Sequence, residues 1–223
     1  MAQYTLIVGT RSWSSWSLRP FVALKAAGVA FDTVDIRLRQ KDAPTTRDQI
    51  LKYSPAGKVP ALTIHEGGKS FTIWDSLGIC ETVAERHPDA KLWPADAAAR
   101  AIARSYAAEM HSGFPDLREQ LSMDFARKKP LPQLREDAQK QIARILEAWQ
   151  SALETYKGDF LFGALSIADC MYAPVVSRFE TYGVEVPAKV RAYMDRVLAL
   201  PAMQEWRAVC EQEIAAGLPS AMP

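Results

Sequence analysis

Two regimes of apolar and polar spacing divide this chain. Up to about residue 86 the apolar runs are short and separated by turn residues. Residues 4–9, YTLIVG, are apolar nearly throughout, which predicts a short buried strand. The polar loop TRSWSS follows. In SLRPFVALKAAG the residues Leu18, Phe21, Val22 and Ala26 recur at helical spacing, and Gly28 offers a C-terminal stop. Pro20 is expected in the first turn of that helix, where its missing N–H goes unused. AFDTVDIRL alternates in part and reads as a second strand, and TTRDQILKYSP as a short helix ended by Pro55 and Gly57. ALTIHE and SFTIW flank Gly67-Gly68, the pattern of a hairpin. SLGICETVAERHP is an amphipathic helix with Asp75 or Ser76 as its cap and Pro88 beyond its end.

From Asp96 onward the alternation almost disappears and long stretches with helical spacing take over. They are DAAARAIARSYAAEMHSGFPDLREQLSMDF (bent near Gly113 and Pro115), LPQLREDAQKQIARILEAWQSALETY, SIADCMYAPVVSRFETYG, PAKVRAYMDRVLAL and PAMQEWRAVCEQEIAAG. Between the regimes, HPDAKLWPA reads as a linker. The first half has the order β-α-β-α-β-β-α of a thioredoxin-like domain. The expected class is therefore α/β plus all-α: a thioredoxin-like domain over 1–86, a linker over 87–95, and an all-helical domain over 96–223.

Composition narrows the function. Of 223 residues, 48% are hydrophobic and 24% charged, as in ordinary globular proteins, and the formal net charge is +1. A nucleic-acid partner bound through a broad basic field is not expected, and Arg127-Lys128-Lys129 reads as a solvated loop. Cys80, Cys170 and Cys210 are far apart and lie in apolar runs, so packing is expected rather than disulfides or a metal site. The stretch MAQYTLIVGT has no basic start ahead of a long apolar core, and no apolar run has membrane length; a cytoplasmic protein without a membrane partner is expected.

Three motifs remain. Lys58-Val59-Pro60 directly precedes a strand, where proline is tolerated because it need not donate to the ladder. In a thioredoxin-like domain this proline is cis, and Val59 N–H and C=O can then pair with a peptide-like ligand in strand fashion. Asp75-Ser76 opens a helix. It is a good cap, and it also suits an α-amino acid, whose carboxylate meets the helix N-terminus and whose ammonium meets the aspartate. Ser166-Ile167-Ala168-Asp169 is a capping-box variant and belongs to folding. No G-x-S-x-G turn supports a serine hydrolase, and Ser14-Ser15-Trp16-Ser17 stands where a disulfide exchanger needs Cys-x-x-Cys.

These motifs, in this order and spacing in a two-domain chain, resemble the cytosolic glutathione transferases over essentially the whole length. SSWSLRP is similar to the Ser-Ser-Cys-Ser-x-Arg stretch of the zeta class, departing at Trp16 where that pattern has cysteine. It is also similar to bacterial transferases with Ser-Trp-Ser-Leu-Arg-Pro, as is AEMHSGFPDLR. The resemblance implies glutathione as co-substrate, no metal, and a homodimer. Asp75 and Ser76 would take the γ-glutamyl end, Val59 and Pro60 the cysteinyl backbone, and Lys58 the glycyl carboxylate. Ser14 or Ser15, with Ser14 preferred, would stabilise the thiolate, and Arg19 would support the active-site helix or loop. Trp13, Tyr106, Met110, His111 and Phe114 would wall a site for a small hydrophobic electrophile. The reactions implied are conjugation, as in detoxification, or a glutathione-dependent isomerisation, peroxide reduction or dehalogenation. A free thiol titrates near pH ~8.5, and lowering that by ~2 units requires roughly 2.7 kcal/mol of preference for the anion. A hydrogen bond to a charged acceptor contributes ~1.5–3 kcal/mol, and a helix N-terminus up to ~2. One serine at a helix start therefore suffices.

Overall fold

Alternate side chains of the first strand leave the sheet on opposite faces. β1 (Tyr4–Gly9) sends Tyr4, Leu6 and Val8 into the main core and Ile7 into a small cluster with Ile36, Ile50 and Ala61. It pairs parallel with β2 (Phe31–Ile36) and antiparallel with β3 (Ala61–Glu66). β3 pairs in turn with β4 (Lys69–Trp74), giving the order β2-β1-β3-β4. Gly67 and Gly68 turn between them at φ 56° and 74°, a region glycine enters freely. α1 (Ser15–Ala26) and α3 (Ser76–Arg86) pack into the main core on one face, and α2 (Thr46–Leu51) brings Ile50 to the other. The computed structural model describes residues 3–221. Met1 and Ala2, at the head of the stretch read for a leader and of the first expected domain, lie outside the described residues, as do Met222 and Pro223 at the end of the second.

The second half is helical: α4 (Ala97–Ser112), α5 (Pro115–Gln120), α6 (Glu136–Thr155), α7 (Ile167–Tyr182), α8 (Ala188–Ala199) and α9 (Pro201–Ala215). α7 is its axis, buried along almost its full length and packed against α1, α4 and α8. The expected capping box starts it. Ser166 N–H and hydroxyl donate to Asp169 Oδ2 at 2.8 and 2.9 Å, and Leu161 N–H donates to Oδ1 at 3.1 Å. Complete burial pushes the Asp169 carboxyl up to about 6, against the pull of those donors. One apolar core runs through both halves, from Leu6 and Leu18 to Trp149, Tyr193 and Trp206.

Four expectations change. α1 begins at Ser15, so Pro20 sits inside the helix rather than in its first turn. The long stretch after Asp96 is two helices broken at Gly113-Phe114, with Phe114 left-handed at φ 60°. The second expected stretch, from Leu131, becomes helical only at Glu136. The 127–129 run is not merely solvated. Lys129 donates to Ala221 C=O at 2.7 Å, and Arg127 and Lys129 both approach the fully buried Asp124, so the basic run straps down the C-terminal segment. All three cysteines are free and buried.

Candidate active site

A cleft of about 690 Å³ is bounded by Trp16, the 56–60 segment and Trp74-Asp75-Ser76. All five expected ligand-binding residues, Lys58, Val59, Pro60, Asp75 and Ser76, line it. Pro60 stands immediately before β3, and the Val59–Pro60 peptide is cis. Among the described residues, Val59 N–H and C=O have no hydrogen-bond partner, which leaves one strand-like donor and acceptor free on the cleft wall. Lys58 is exposed and forms no ion pair among the described residues.

Asp75, rather than Ser76, is the cap of α3. Its Oδ1 accepts from Leu77 and Gly78 N–H at 2.8 and 3.2 Å, while its backbone is held at φ 75°, ψ 135°. Such a conformation costs a non-glycine residue on the order of 1–3 kcal/mol and persists only where its surroundings hold it. Oδ2 lies 3.2 Å from His111 Nε2, at the end of α4. Burial lowers the pKa of His111, with Asp75 opposing and Arg19 and Arg118 adding to the shift, so a neutral ring donates to Asp75 near neutral pH. Ser76 is almost wholly buried at the cleft floor, and Arg19 Nη1 donates to its hydroxyl at 3.4 Å.

Arg19 is 1% exposed and has no carboxylate within ion-pair distance among the described residues. Desolvation, and then the neighbouring Arg118, pull its guanidinium down to about 9, still charged at neutral pH. It lies over the Trp16 ring at 4.3 Å, with the Arg118 guanidinium also at 4.7 Å and the His111 ring edge-on at 5.3 Å. Trp16, the departure from the zeta pattern, thus has two cations against its ring at the cleft edge.

Ser14 is the N-cap residue of α1, yet its side chain does not cap the helix. Its hydroxyl donates to Ser17 Oγ at 2.7 Å, and Ser17 Oγ also accepts from Gly9 N–H at 3.2 Å. The N–H groups of Trp16 and Ser17 have no partner among the described residues, so the positive end of α1 is uncapped. Ser15 is buried in the first turn, and its hydroxyl has no partner among the described residues. The preceding turn is bound to α9 through Glu213, which accepts from Arg11 and Ser12 N–H at 2.8 Å each.

The electrophile wall changes most. Tyr106 donates to Ala148 C=O at 3.1 Å and packs edge-on against Phe162, facing α6. Met110 and Phe114 are 1% and 7% exposed and belong to the main core. Trp13 lies under the Arg39 guanidinium at 4.7 Å. His111 reaches the cleft residues, through Asp75 and Trp16. The physical reason is ordinary: the apolar stripe of α4 packs on α7, so helical spacing marked the core there. From sequence Ser17 reads as part of the helix or its cap, and Glu213 carries no motif. The Ser-x-x-Ser spacing from Ser14 held a signal for the first, but nothing local could pair Glu213 with Ser12.

Family models describing the glutathione S-transferase N-terminal and C-terminal domains match residues 13–86 and 132–208. The chain belongs to the glutathione S-transferase family. It is 31% identical to a maleylacetoacetate isomerase of Rattus norvegicus, over 87% of each chain. A glutathione transferase homologue from Burkholderia gl BGR1, solved with bound glutathione, superposes with a TM-score of 0.71 at 28% identity, over 94% of this chain and 98% of that one. A maleylacetoacetate isomerase of Anaeromyxobacter dehalogenans 2CP-1, holding dicarboxyethyl glutathione and citrate, gives 0.67 at 26% identity, over 93% and 92%.

Proposed function

We propose that this chain is a glutathione transferase of the cytoplasm. It binds glutathione in the cleft and delivers the thiolate to a small hydrophobic electrophile, as a homodimer and without a metal. The observation that carries this reading is the N–H and C=O of Val59, unpartnered among the described residues, in the same cleft as Asp75 and Ser76. Together they offer a backbone clamp for the cysteinyl residue and a two-charge pocket for the γ-glutamyl end. Lys58 takes the glycyl carboxylate. In this reading residues 1–86 carry the glutathione half of the site and 96–223 close the electrophile half.

Ser14 is the thiolate donor. Hydroxyls can exchange donor and acceptor roles. When the shared bond reverses, Ser17 donates to Ser14 Oγ, and the Ser14 proton is free to point at sulfur. The uncapped N–H groups of Trp16 and Ser17 favour the same anion. The thiol proton leaves to solvent, the sulfur lone pair forms the new S–C bond, and the leaving group departs with its bonding pair. Glutathione assayed with halo-aromatics, hydroperoxides and maleylacetone tests this: turnover of a halo-aromatic with stoichiometric loss of thiol is expected. A wild type that binds glutathione but converts no electrophile marks a binding or scaffold protein and overturns the proposal. A second reading, isomerisation of the maleylacetoacetate kind, is favoured by the 31% identity to a relative of that name; turnover of maleylacetone without net consumption of glutathione would select it.

A further inference from the structure

The turn Thr10–Ser14, which delivers Ser14, is fastened to the far end of the chain. Glu213 on α9 accepts three hydrogen bonds from it: Oε1 from Arg11 N–H at 2.8 Å, and Oε2 from Ser12 N–H and the Ser12 hydroxyl at 2.8 and 2.7 Å. α9 adds Trp206 Nε1–H, which donates to Arg11 C=O at 3.0 Å. Phe125 N–H donates to Ser12 C=O at 2.9 Å, and the Arg11 guanidinium is pinned by Asp35 at 2.7 and 3.0 Å. Inside the turn, Ser14 N–H donates to Thr10 C=O at 2.9 Å. Every residue between Thr10 and Ser14 except Trp13 is nine-tenths buried or more, so the turn's own donors face protein rather than water, while Glu213 is half-buried.

We propose that Glu213 is a positioning residue for thiol activation. It holds the Arg11-Ser12 backbone so that Ser14 Oγ and the N-terminus of α1 present themselves to the glutathione sulfur. The side-chain type matters. An ionised carboxylate accepts through both oxygens and meets three donors without conflict, whereas a glutamine must turn its NH₂ toward an N–H. Charge-assisted bonds of this kind are also short and strong. Glu213 acts through the turn and touches no ligand. This inference rests on the reading that the thiol is activated at the Ser14 turn.

The test is the pH profile of kcat/KM, together with the ultraviolet thiolate absorbance of bound glutathione, for wild type, Glu213→Gln and Ser12→Ala. In Glu213→Gln the bound thiol is expected to titrate about one unit higher, and activity at pH 6.5 to fall roughly tenfold. The Kd for glutathione should change less than about twofold, because Val59, Asp75 and Ser76 are untouched. Ser12→Ala removes one of the three bonds with little change in volume. It should move the profile in the same direction by less, and it decides the matter if Glu213→Gln does not fold. A lower melting temperature with the thiol titrating as in wild type would mean that Glu213 is structural only, and overturns the inference while leaving the functional reading intact. A wild type whose bound thiol titrates like the free one overturns that reading, and this inference with it.

Discussion

Ser14 and Ser15 are adjacent, equally buried and chemically identical, yet their hydroxyls have different company. Ser14 is linked to Ser17 and through it to Gly9 N–H, and the Ser15 hydroxyl has no partner among the described residues. When the bond between the two hydroxyls reverses, Gly9 N–H and the Ser17 hydroxyl line up behind Ser14, and a donor fed by such a chain is polarised by it. Ser14→Ala is therefore expected to lower kcat/KM by about 10- to 200-fold, corresponding to the ~1.5–3 kcal/mol of a bond to a charged acceptor, with glutathione affinity retained. Ser15→Ala should stay within about threefold, and Ser17→Ala should fall between. Steady-state kinetics with calorimetric binding separates the three; equal losses in Ser14→Ala and Ser15→Ala would sink the assignment. Arg19 gives a second test. A buried cation without a counter-charge weighs against the fold, so Arg19→Met, which keeps much of the volume, should hold or raise the urea midpoint. It should also weaken glutathione binding by about tenfold, since Ser76 and the ligand carboxylate lose the charge behind them.

At the scale of elements, the N-terminus of α3 meets the C-terminus of α4 through Asp75 and His111. Burial holds the His111 pKa below its ordinary value. On the proposed reading, while neutral it leaves the charge of Asp75 to the ammonium of glutathione. As pH falls through the depressed value it becomes a cation that competes for that carboxylate. The glutathione KM should therefore rise on acidification below about pH 6.5, and His111→Asn should flatten that limb; an identical limb in the variant would show that another group titrates. The linkage sign agrees: a histidine with a lowered folded-state pKa contributes stability that is intact above its unfolded value and lost as pH falls. The start of α7 carries a purely structural prediction. Asp169→Ala leaves Leu161 N–H and Ser166 N–H buried without partners, and should cost about 2–4 kcal/mol in urea unfolding.

At the scale of the whole molecule, the two spacing regimes do not make two independent bodies. Leu18 and Phe21 of α1 share a core with Val175 and Phe179 of α7 and with Trp206 of α9. Far-UV circular dichroism and tryptophan fluorescence should report one coincident unfolding transition; separated midpoints would show that the halves unfold independently. The same continuity explains how a residue close to the C-terminus reaches the turn before α1.

Much of this was legible locally. Alternation gave the strands, helical spacing the helices, and Gly67-Gly68 the hairpin. Lys58-Val59-Pro60 and Asp75-Ser76 stood out because a strand start and a helix start each need particular residue types, and both line the cleft. Periodicity failed where it could say only that a residue is buried: Tyr106, Met110 and Phe114 have the spacing of a ligand wall and face the core instead. The sequence by itself therefore determined the elements, their order and the two motifs of the cleft, because each depends on residues within a few positions of one another. Only the tertiary structure decided the company of the opening serines: Ser17 behind Ser14, Arg19 beneath Ser76 with no carboxylate partner among the described residues, and Glu213 on the turn. Those relations are hydrogen bonds and burial. Two of them join residues 57 and 201 positions apart, which no local pattern encodes.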